Sequence, residues 1–199
     1  MSVRRIRIIT RGKYLLLLSA LFFVQCAPGN VSALYKLYSP EDYVYWSEDV
    51  LLNWSDFQGI PSDTSDKYAS DIRVYNPASI EKMNIFSPAK LTAFCVFDKK
   101  HSWVNKKLAN DDLLLYNQTI FDIYELYTRT LRQTFDSTDF AVDNYKEKFQ
   151  EMTEKINSDL KDRVNKFKSD TQSGQFKEAI RPWDNKIRNE LDDLKKYKG

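Results

Sequence analysis

Residues 111–133 of the chain read "DDLLLYNQTIFDIYELYTRTLRQ". The run continues without glycine or proline to about Phe135, and its apolar residues cover more than one face, which is typical of a helix buried on several sides. Asn110 is suited to cap the start of this helix, and Asp111 and Asp112 in the first turn complement its dipole. We therefore predict that this helix lies at the centre of the domain.

The residues before this helix, 34–110, carry short β-branched or aromatic runs separated by clusters of turn-forming residues. We predict strands at "YVYW" (43–46), "VLLNW" (50–54), "DIRVY" (71–75), "MNIF" (83–86) and "LTAFCVF" (91–97). These runs predict one small, mostly antiparallel sheet.

Two amphipathic helices are predicted after the central one, because apolar residues recur every three or four positions among charged ones. The first starts at Ser137, Thr138 or Asp139 and reaches about Lys168. The second covers about 176–197, with Pro182 either kinking it or lying in its first turn. The two could pair with each other or pack along the central helix. Residues 34–199 therefore predict a single α+β domain, sheet first and helices after.

The N-terminal residues have the layout of a secretory signal. Five basic residues and no acidic one precede an apolar run at 14–24, which is too short to span a bilayer. Two exits are possible: cleavage before Cys26, which would be lipidated after removal of 1–25, or cleavage after Ala33, which removes 1–33. The first predicts an envelope-anchored lipoprotein and the second a periplasmic or secreted protein. We favour Cys26, because a cysteine just after such a run is uncommon by chance.

Charge argues against one class of partner. Five of the 30 basic residues lie in 1–33, so 25 remain against 28 acidic ones, a net charge of −3. This removes the electrostatic footprint of nucleic-acid binding. Membrane contact is expected only through the possible lipid anchor. If Cys26 is lipidated or removed, Cys95 cannot form an intrachain disulfide.

Several motifs in order point to a known family. These are "LNWSDFQGIP" (52–61), "SWV" (102–104), "LLLYNQTIFDIYELYTRTLR" (113–132) and Trp183 before "IRNEL". In this order they resemble a family of secreted bacterial zinc-dependent proteases of the HExxH type, described as a domain of unknown function. The resemblance covers roughly 45–194 and implies a zincin-like fold.

In that family the central helix carries HExxH followed by "FDI". The two histidines bind zinc, and the glutamate between them activates the bound water. Aligning "FDI" with residues 121–123 places Tyr116 and Ile120 at the ligand positions and Asn117 at the base position. A further family histidine in a "T-x-H-G"-like turn corresponds to Ser173 in "TQSG". The resemblance thus implies a degenerate metal motif.

The residues at these positions are poor replacements. Ile120 has no lone pair for a metal, and the Tyr116 phenol has an ordinary pKa of about 10. The Asn117 amide cannot act as a general base near neutral pH. We therefore expect no bound metal, no cofactor and no catalytic residue at these positions.

Other catalytic arrangements are weaker still. His101 is the only histidine of the chain and is expected to face solvent. A Cys95–His101 dyad is disfavoured, because a cysteine within an apolar strand is usually an inert small hydrophobe. Asp122 and Glu125 are spaced i, i+3, and we expect them to bond to the sheet or face water.

Our leading hypothesis is an exported, non-catalytic metallopeptidase-like domain with a binding or scaffolding role in the bacterial envelope. Its partner would be an unidentified protein or envelope component. One alternative is an active metal-dependent peptidase whose ligands, such as Tyr116, His101 and carboxylates, come together only in the fold. A second is a structural envelope protein unrelated to peptidases.

Overall fold

The central helix, α1 (Asp111–Asp136), forms where the sequence predicts it, as a computed structural model of the chain shows. The structure describes residues 33–61, 69–81, 84, 86–141 and 143–199. The predicted lipidation site Cys26 and nearly all of the predicted signal lie outside the described residues, whereas Ala33 is the first of them and is exposed. In the described part of the chain, no helix combines the length and hydropathy that a membrane span requires.

α1 begins at the predicted cap. The Asn110 Oδ1 accepts a hydrogen bond from the Leu113 N–H at 3.0 Å, which satisfies one of the free donors of the first turn. Phe121 and Ile123 are fully buried. The helix also buries polar side chains on several faces: Asn117, Gln118, Thr119, Asp122, Glu125, Thr128 and Arg129.

Within the described residues, the strands form three small antiparallel sheets rather than the single sheet predicted. They are β1 (Tyr43–Tyr45), β2 (Ser70–Asp71), β3 (Val74–Tyr75), β4 (Ala78–Glu81), β5 (Lys90–Ala93), β6 (Val96–Asp98) and β7 (Trp103–Val104). The sheet orders are β1-β6-β3, β2-β7 and β4-β5. The α+β class is confirmed.

Local hydrogen bonds of side chains explain a wrong strand prediction. "VLLNW" ends in a 3-10 helix, Trp54–Asp56, because the Asn53 side chain accepts from the Ser55 N–H and the Asp56 carboxylate accepts from the Asn53 N–H. In "MNIF" the Asn84 side chain accepts from the Phe86 and Ser87 N–H groups, which forms a turn. Asparagine side chains thus compete with the ladder for backbone donors.

The second helix, α2 (Tyr145–Asp170), starts later than predicted. The hydroxyls of Ser137 and Thr138 donate to the Thr134 carbonyl at 3.0 and 2.6 Å. They therefore support the end of α1 instead of capping α2. The third helix, α3 (Lys177–Asp193), is followed by a 3-10 turn, Lys195–Tyr197. Pro182 lies inside α3, in its second turn, which rules out the first-turn alternative.

Both later helices pack along α1. They also touch each other, where the Phe167 and Trp183 rings meet edge to face at 5.4 Å. On the strand side, the Phe97 ring of β6 lies 6.1 Å from the Phe121 ring of α1 and 5.1 Å from that of Phe57. α1 therefore contributes to one core that reaches both the strands and the helix pair.

Candidate functional site

The positions that the resemblance assigns to metal ligands are core positions. Tyr116 and Ile120 are both buried in the main hydrophobic cluster. The Tyr116 ring stacks on the Phe167 ring of α2, with the centroids 5.2 Å apart. A Cβ at Gly174 would lie 3.1 Å from the Tyr116 ring, and Gly174 has a φ of +88°. The ring is thus enclosed by α2 and by the turn after it.

The turn between α2 and α3 brings Ser173 to the same place. Gln172 and Ser173 have positive φ values of 48° and 55°, and the Ser173 N–H donates to the Lys168 carbonyl at 2.7 Å. The Ser173 side chain hydrogen-bonds the Tyr116 phenol. Tyr116 and Ser173, which are far apart in sequence, therefore meet in the fold.

The chemistry of that meeting point does not suit a cation. Burial raises the pKa of Tyr116 to about 12, while the hydrogen bond with Ser173 acts in the opposite direction. A phenol that keeps its proton, a hydroxyl and the Ile120 side chain provide no anionic oxygen, imidazole or thiolate. Zinc sites in proteins are formed by imidazole, thiolate and carboxylate groups.

Asn117, at the position of the general base, has a structural role. Its Oδ1 accepts a hydrogen bond from the Ser70 hydroxyl at 3.0 Å, and its Nδ2 donates to the Leu113 carbonyl at 2.8 Å. The amide thereby links α1 to β2. Both of its polar atoms are engaged, and neither can take up a proton near neutral pH.

The remaining catalytic candidates, His101 and Cys95, differ in burial: His101 is exposed and Cys95 is buried. The His101 side chain is 71% exposed, and its Nδ1 lies 2.8 Å from the buried Asp98 carboxylate. Cys95 is buried, and desolvation, with a smaller effect of Glu125 and Asp122, raises the pKa of its thiol well above the usual value. Among the described residues, no group of three or more histidine, cysteine or carboxylate side chains could hold a metal ion.

Glu125 and Asp122 of α1 are both buried, so neither faces water. Glu125 is buried and accepts hydrogen bonds from Arg129 Nε at 3.1 Å and Arg132 Nη1 at 3.0 Å. Burial raises the pKa of Glu125, and the two guanidinium groups oppose that shift. The expected bond to the sheet is absent for Glu125 among the described residues, since its two partners lie on α1 itself.

The Arg129 guanidinium is fully buried and connects three parts of the chain. Its Nη1 donates to the Leu191 carbonyl of α3 at 2.7 Å, and its Nη2 donates to the Glu48 carboxylate at 3.3 Å. Its Cζ lies 4.9 Å from the centroid of the Trp46 ring, within range of a cation–π contact. This arrangement stabilises the fold, and no motif in the sequence indicates it.

Asp122 lies at the base of a cavity of about 280 Å³ between α1 and α3. Its Oδ1 accepts hydrogen bonds from Trp46 Nε1 and Gln118 Nε2, both at 2.8 Å. Because Trp46 directly follows β1, the expected bond toward the sheet region is confirmed for this carboxylate. Burial raises the pKa of Asp122, while the bonds from Trp46 and Gln118 act in the opposite direction.

The raised pKa of Asp122 predicts a pH effect on stability. Above the ordinary value of 3.8 the unfolded state loses this proton before the folded state does. The contribution of Asp122 to the free energy of unfolding therefore falls as pH rises toward the folded-state pKa. In Asp122→Asn the amide oxygen can still accept both hydrogen bonds, and this dependence disappears.

The measurement is urea unfolding of both proteins between about pH 4 and pH 7. We expect the stability of the wild type, relative to Asp122→Asn, to decrease with rising pH and then to level off. Parallel profiles over the whole range would show that the carboxyl has no raised pKa.

A larger groove lies between β3 and α2, and its lining includes none of the four motif positions. It has a volume of about 650 Å³, and Tyr124 of α1 lies between its two walls. One wall consists of residues 71–77, and the other of one stripe of α2 that includes Lys161 and Lys168. The Asn76 Nδ2 donates to the Asn157 Oδ1 at 3.1 Å and joins the two walls. The lining of this groove is mostly polar.

Sequence reasoning did not identify the groove. The α2 residues that line it, Asn157, Lys161, Asn165 and Lys168, recur at intervals of three or four beside the apolar stripe. That spacing marks a polar helical face, which most helices also present to water. Only the position of β3 opposite this face makes it a groove.

Comparison with known proteins identifies no relative: no family model, no curated protein and no solved structure matches the chain.

Proposed function

We propose that the chain is an exported, non-catalytic, zincin-like domain with a binding role in the bacterial envelope. One observation supports the loss of catalysis more than any other. At the positions where a zincin would hold its metal, the Tyr116 ring is stacked on Phe167 and enclosed by Gly174. A space filled by packed side chains has neither the ligands nor the open coordination position that zinc hydrolysis requires.

The binding part of the proposal rests on the groove between β3 and α2. Ligand sites are usually preformed concave surfaces of about 300–1,000 Å³, and the groove falls in that range. Tyr116 does not line the groove. A binding role for the groove therefore does not depend on zinc catalysis at the Tyr116 position.

The export part rests on the residues before 34, with Cys26 or Ala33 as the processed position. Mass spectrometry of the mature N-terminus distinguishes the two. A lipidated Cys26 supports an envelope-anchored protein, and an N-terminus at Leu34 supports a periplasmic or secreted one. An unprocessed chain would contradict export.

The metal content of the purified protein tests the proposed absence of zinc catalysis. We expect the purified protein to contain clearly substoichiometric zinc by elemental mass spectrometry, because no described side-chain cluster offers a set of ligands. Casein cleavage is expected to be absent and unaffected by a chelator.

The matched control is His101→Ala, which removes the only imidazole. We expect the metal content of this variant to equal that of the wild type. Stoichiometric zinc that is lost in His101→Ala, together with chelator-sensitive cleavage, would instead establish the active peptidase with unrecognised ligands.

The reading as a structural protein unrelated to peptidases gains no support from α2 and α3. Exposed apolar stripes on these helices would favour docking of partner helices. Most of the two stripes is covered: Ile156, Leu160, Val164 and Phe167 of α2 and Ile180, Ile187 and Leu191 of α3 are buried. Phe176, just before α3, is the exception, with 46% of its surface exposed.

A further inference from the structure

We infer that the groove between β3 and α2 binds an extended, acidic peptide segment of a partner protein, which adds a strand at the edge of β3. This inference deepens the proposed binding function and rests on it. It names the chemical class of the ligand, and three independent features of the groove support it.

The first feature is charge. Of the described residues that line the groove, Arg73, Lys161 and Lys168 are basic and Asp71 alone is acidic. The lining therefore carries a net charge of +2. By contrast, residues 34–199 as a whole carry a net charge of −3. A locally positive groove in a negatively charged chain attracts an anionic ligand and disfavours a cationic one.

The second feature is that the charges of the two groove lysines are uncompensated among the described residues. In the part of the chain that the structure describes, no carboxylate lies within ion-pair distance of Lys161 or Lys168. By contrast, Lys155 and Lys166 on the same helix pair with Asp159 and Asp170. Among the described residues, Arg73 forms an ion pair with the partly exposed Asp71, at 3.3 Å. The lysines of the groove are therefore available to a ligand.

The third feature is the backbone of β3. This strand lies at the edge of the sheet ordered β1-β6-β3. The Asp98 N–H donates to the Arg73 carbonyl at 2.8 Å, and Val74 is paired with Phe97 and Tyr75 with Val96. Because bonding residues alternate along an antiparallel ladder, Arg73 and Tyr75 direct their polar groups toward β6. The N–H and C=O of Val74 consequently point away from β6, at the edge that borders the groove.

These features favour an extended peptide over a compact anion. Residues 71–77 line the groove in sequence and can span at most about 23 Å. That length accommodates a strand of about six residues. Such a strand could bond to the Val74 backbone and direct alternate side chains toward the basic residues of α2. Strand addition gives affinity through backbone bonds and specificity through alternate side chains.

The probe is a fluorescein-labelled hexapeptide of alternating glutamate and valine, titrated against the purified full chain at low salt. We expect saturable binding that weakens with added salt, together with shifts in the amide resonances of Val74 and Tyr75. The corresponding lysine–valine peptide should not bind.

Two variants test the charge. Lys161→Glu/Lys168→Glu should weaken binding about tenfold or more, because two attractive charges become repulsive. Lys155→Glu/Lys186→Glu makes the same change of net charge on exposed lysines outside the groove and should bind almost as the wild type does. Circular dichroism establishes that both variants are folded. Equal weakening in the two variants would overturn the site.

A peptide with a methylated central backbone nitrogen tests strand addition, because it keeps every charge but loses one donor. Equal affinity for this peptide would overturn the edge-strand geometry. Absence of peptide binding would overturn the inference, and binding of oligogalacturonate instead would assign the groove to acidic glycans. The proposed non-catalytic function fails separately, through stoichiometric zinc, whatever the peptides do.

Discussion

Replacement of Arg129 by methionine is expected to lower the free energy of unfolding by about 3–5 kcal/mol, the cost of removing one partner from a buried ion pair. The guanidinium is fully buried and holds Glu125, Glu48 and the Leu191 carbonyl. Methionine fills part of the space but offers none of these donors. The Leu191 carbonyl would keep only its bond from the Leu194 N–H at 3.2 Å. Part of the Glu125 carboxylate would remain buried without its partner, and an unsatisfied buried group costs about 1–3 kcal/mol.

The measurement is urea unfolding at neutral pH, followed by tryptophan fluorescence. The matched control is Lys155→Met, which removes an exposed i, i+4 pair with Asp159 on α2 and should change stability by less than about 0.5 kcal/mol. Equal effects of the two substitutions would show that burial of Arg129 confers no special role.

A double variant separates the electrostatic contribution of Arg129 to stability from its packing contribution. Arg129→Met/Glu125→Gln removes the buried cation and its nearest carboxylate charge together. We expect it to be less destabilised than the sum of the two single variants, by about 0.5–3 kcal/mol. Strict additivity would show that the two side chains do not interact.

Replacement of Phe167 by alanine is expected to destabilise the fold by about 3–5 kcal/mol, the range for a fully buried aromatic residue. Phe167 has no exposed surface, stacks on Tyr116 of α1 and contacts Trp183 of α3. The substitution therefore opens a cavity where the three helices meet. For a domain of this size the melting temperature should fall by about 2–4 °C per kcal/mol.

The same chemical change at an exposed site is the control. The Phe86 side chain is 90% exposed, so Phe86→Ala should have an effect within about 0.5 kcal/mol. Phe167→Leu keeps most of the volume and should cost less than Phe167→Ala. If Phe167→Ala leaves the melting temperature unchanged, the Tyr116 region is not the packed core that the proposed function requires.

Several elements could be predicted because their signals are local. Asn110 caps α1 through a bond three residues away, and the periods of α2 and α3 follow from neighbouring turns. The start of α2 was misplaced because Ser137 and Thr138 can bond to either helix. The single predicted sheet was wrong, because pairing such as β2 with β7 depends on distant residues that a run of β-formers does not identify.

The candidate site also has features that the local sequence predicts and features that depend on distant residues. The four positions Tyr116, Asn117, Ile120 and Ser173 could be named from sequence, and their lack of suitable donors follows from residue type alone. Their environment could not be predicted. Burial of the Tyr116 ring depends on Phe167 and Gly174, and the role of Asn117 depends on Ser70.

The α+β class and the central helix with its cap could therefore be predicted from the sequence. The lack of imidazole and carboxylate groups at the motif positions can be read from it directly. These properties depend on residue type and on neighbours within a few positions. Tertiary structure alone decided that Arg129 joins Glu48 to Leu191, across separations of 81 and 62 residues. It also decided that the basic face of α2 lies opposite the edge of β3. The physical reason is that burial and charge pairing are set by side chains that meet only when the chain is folded.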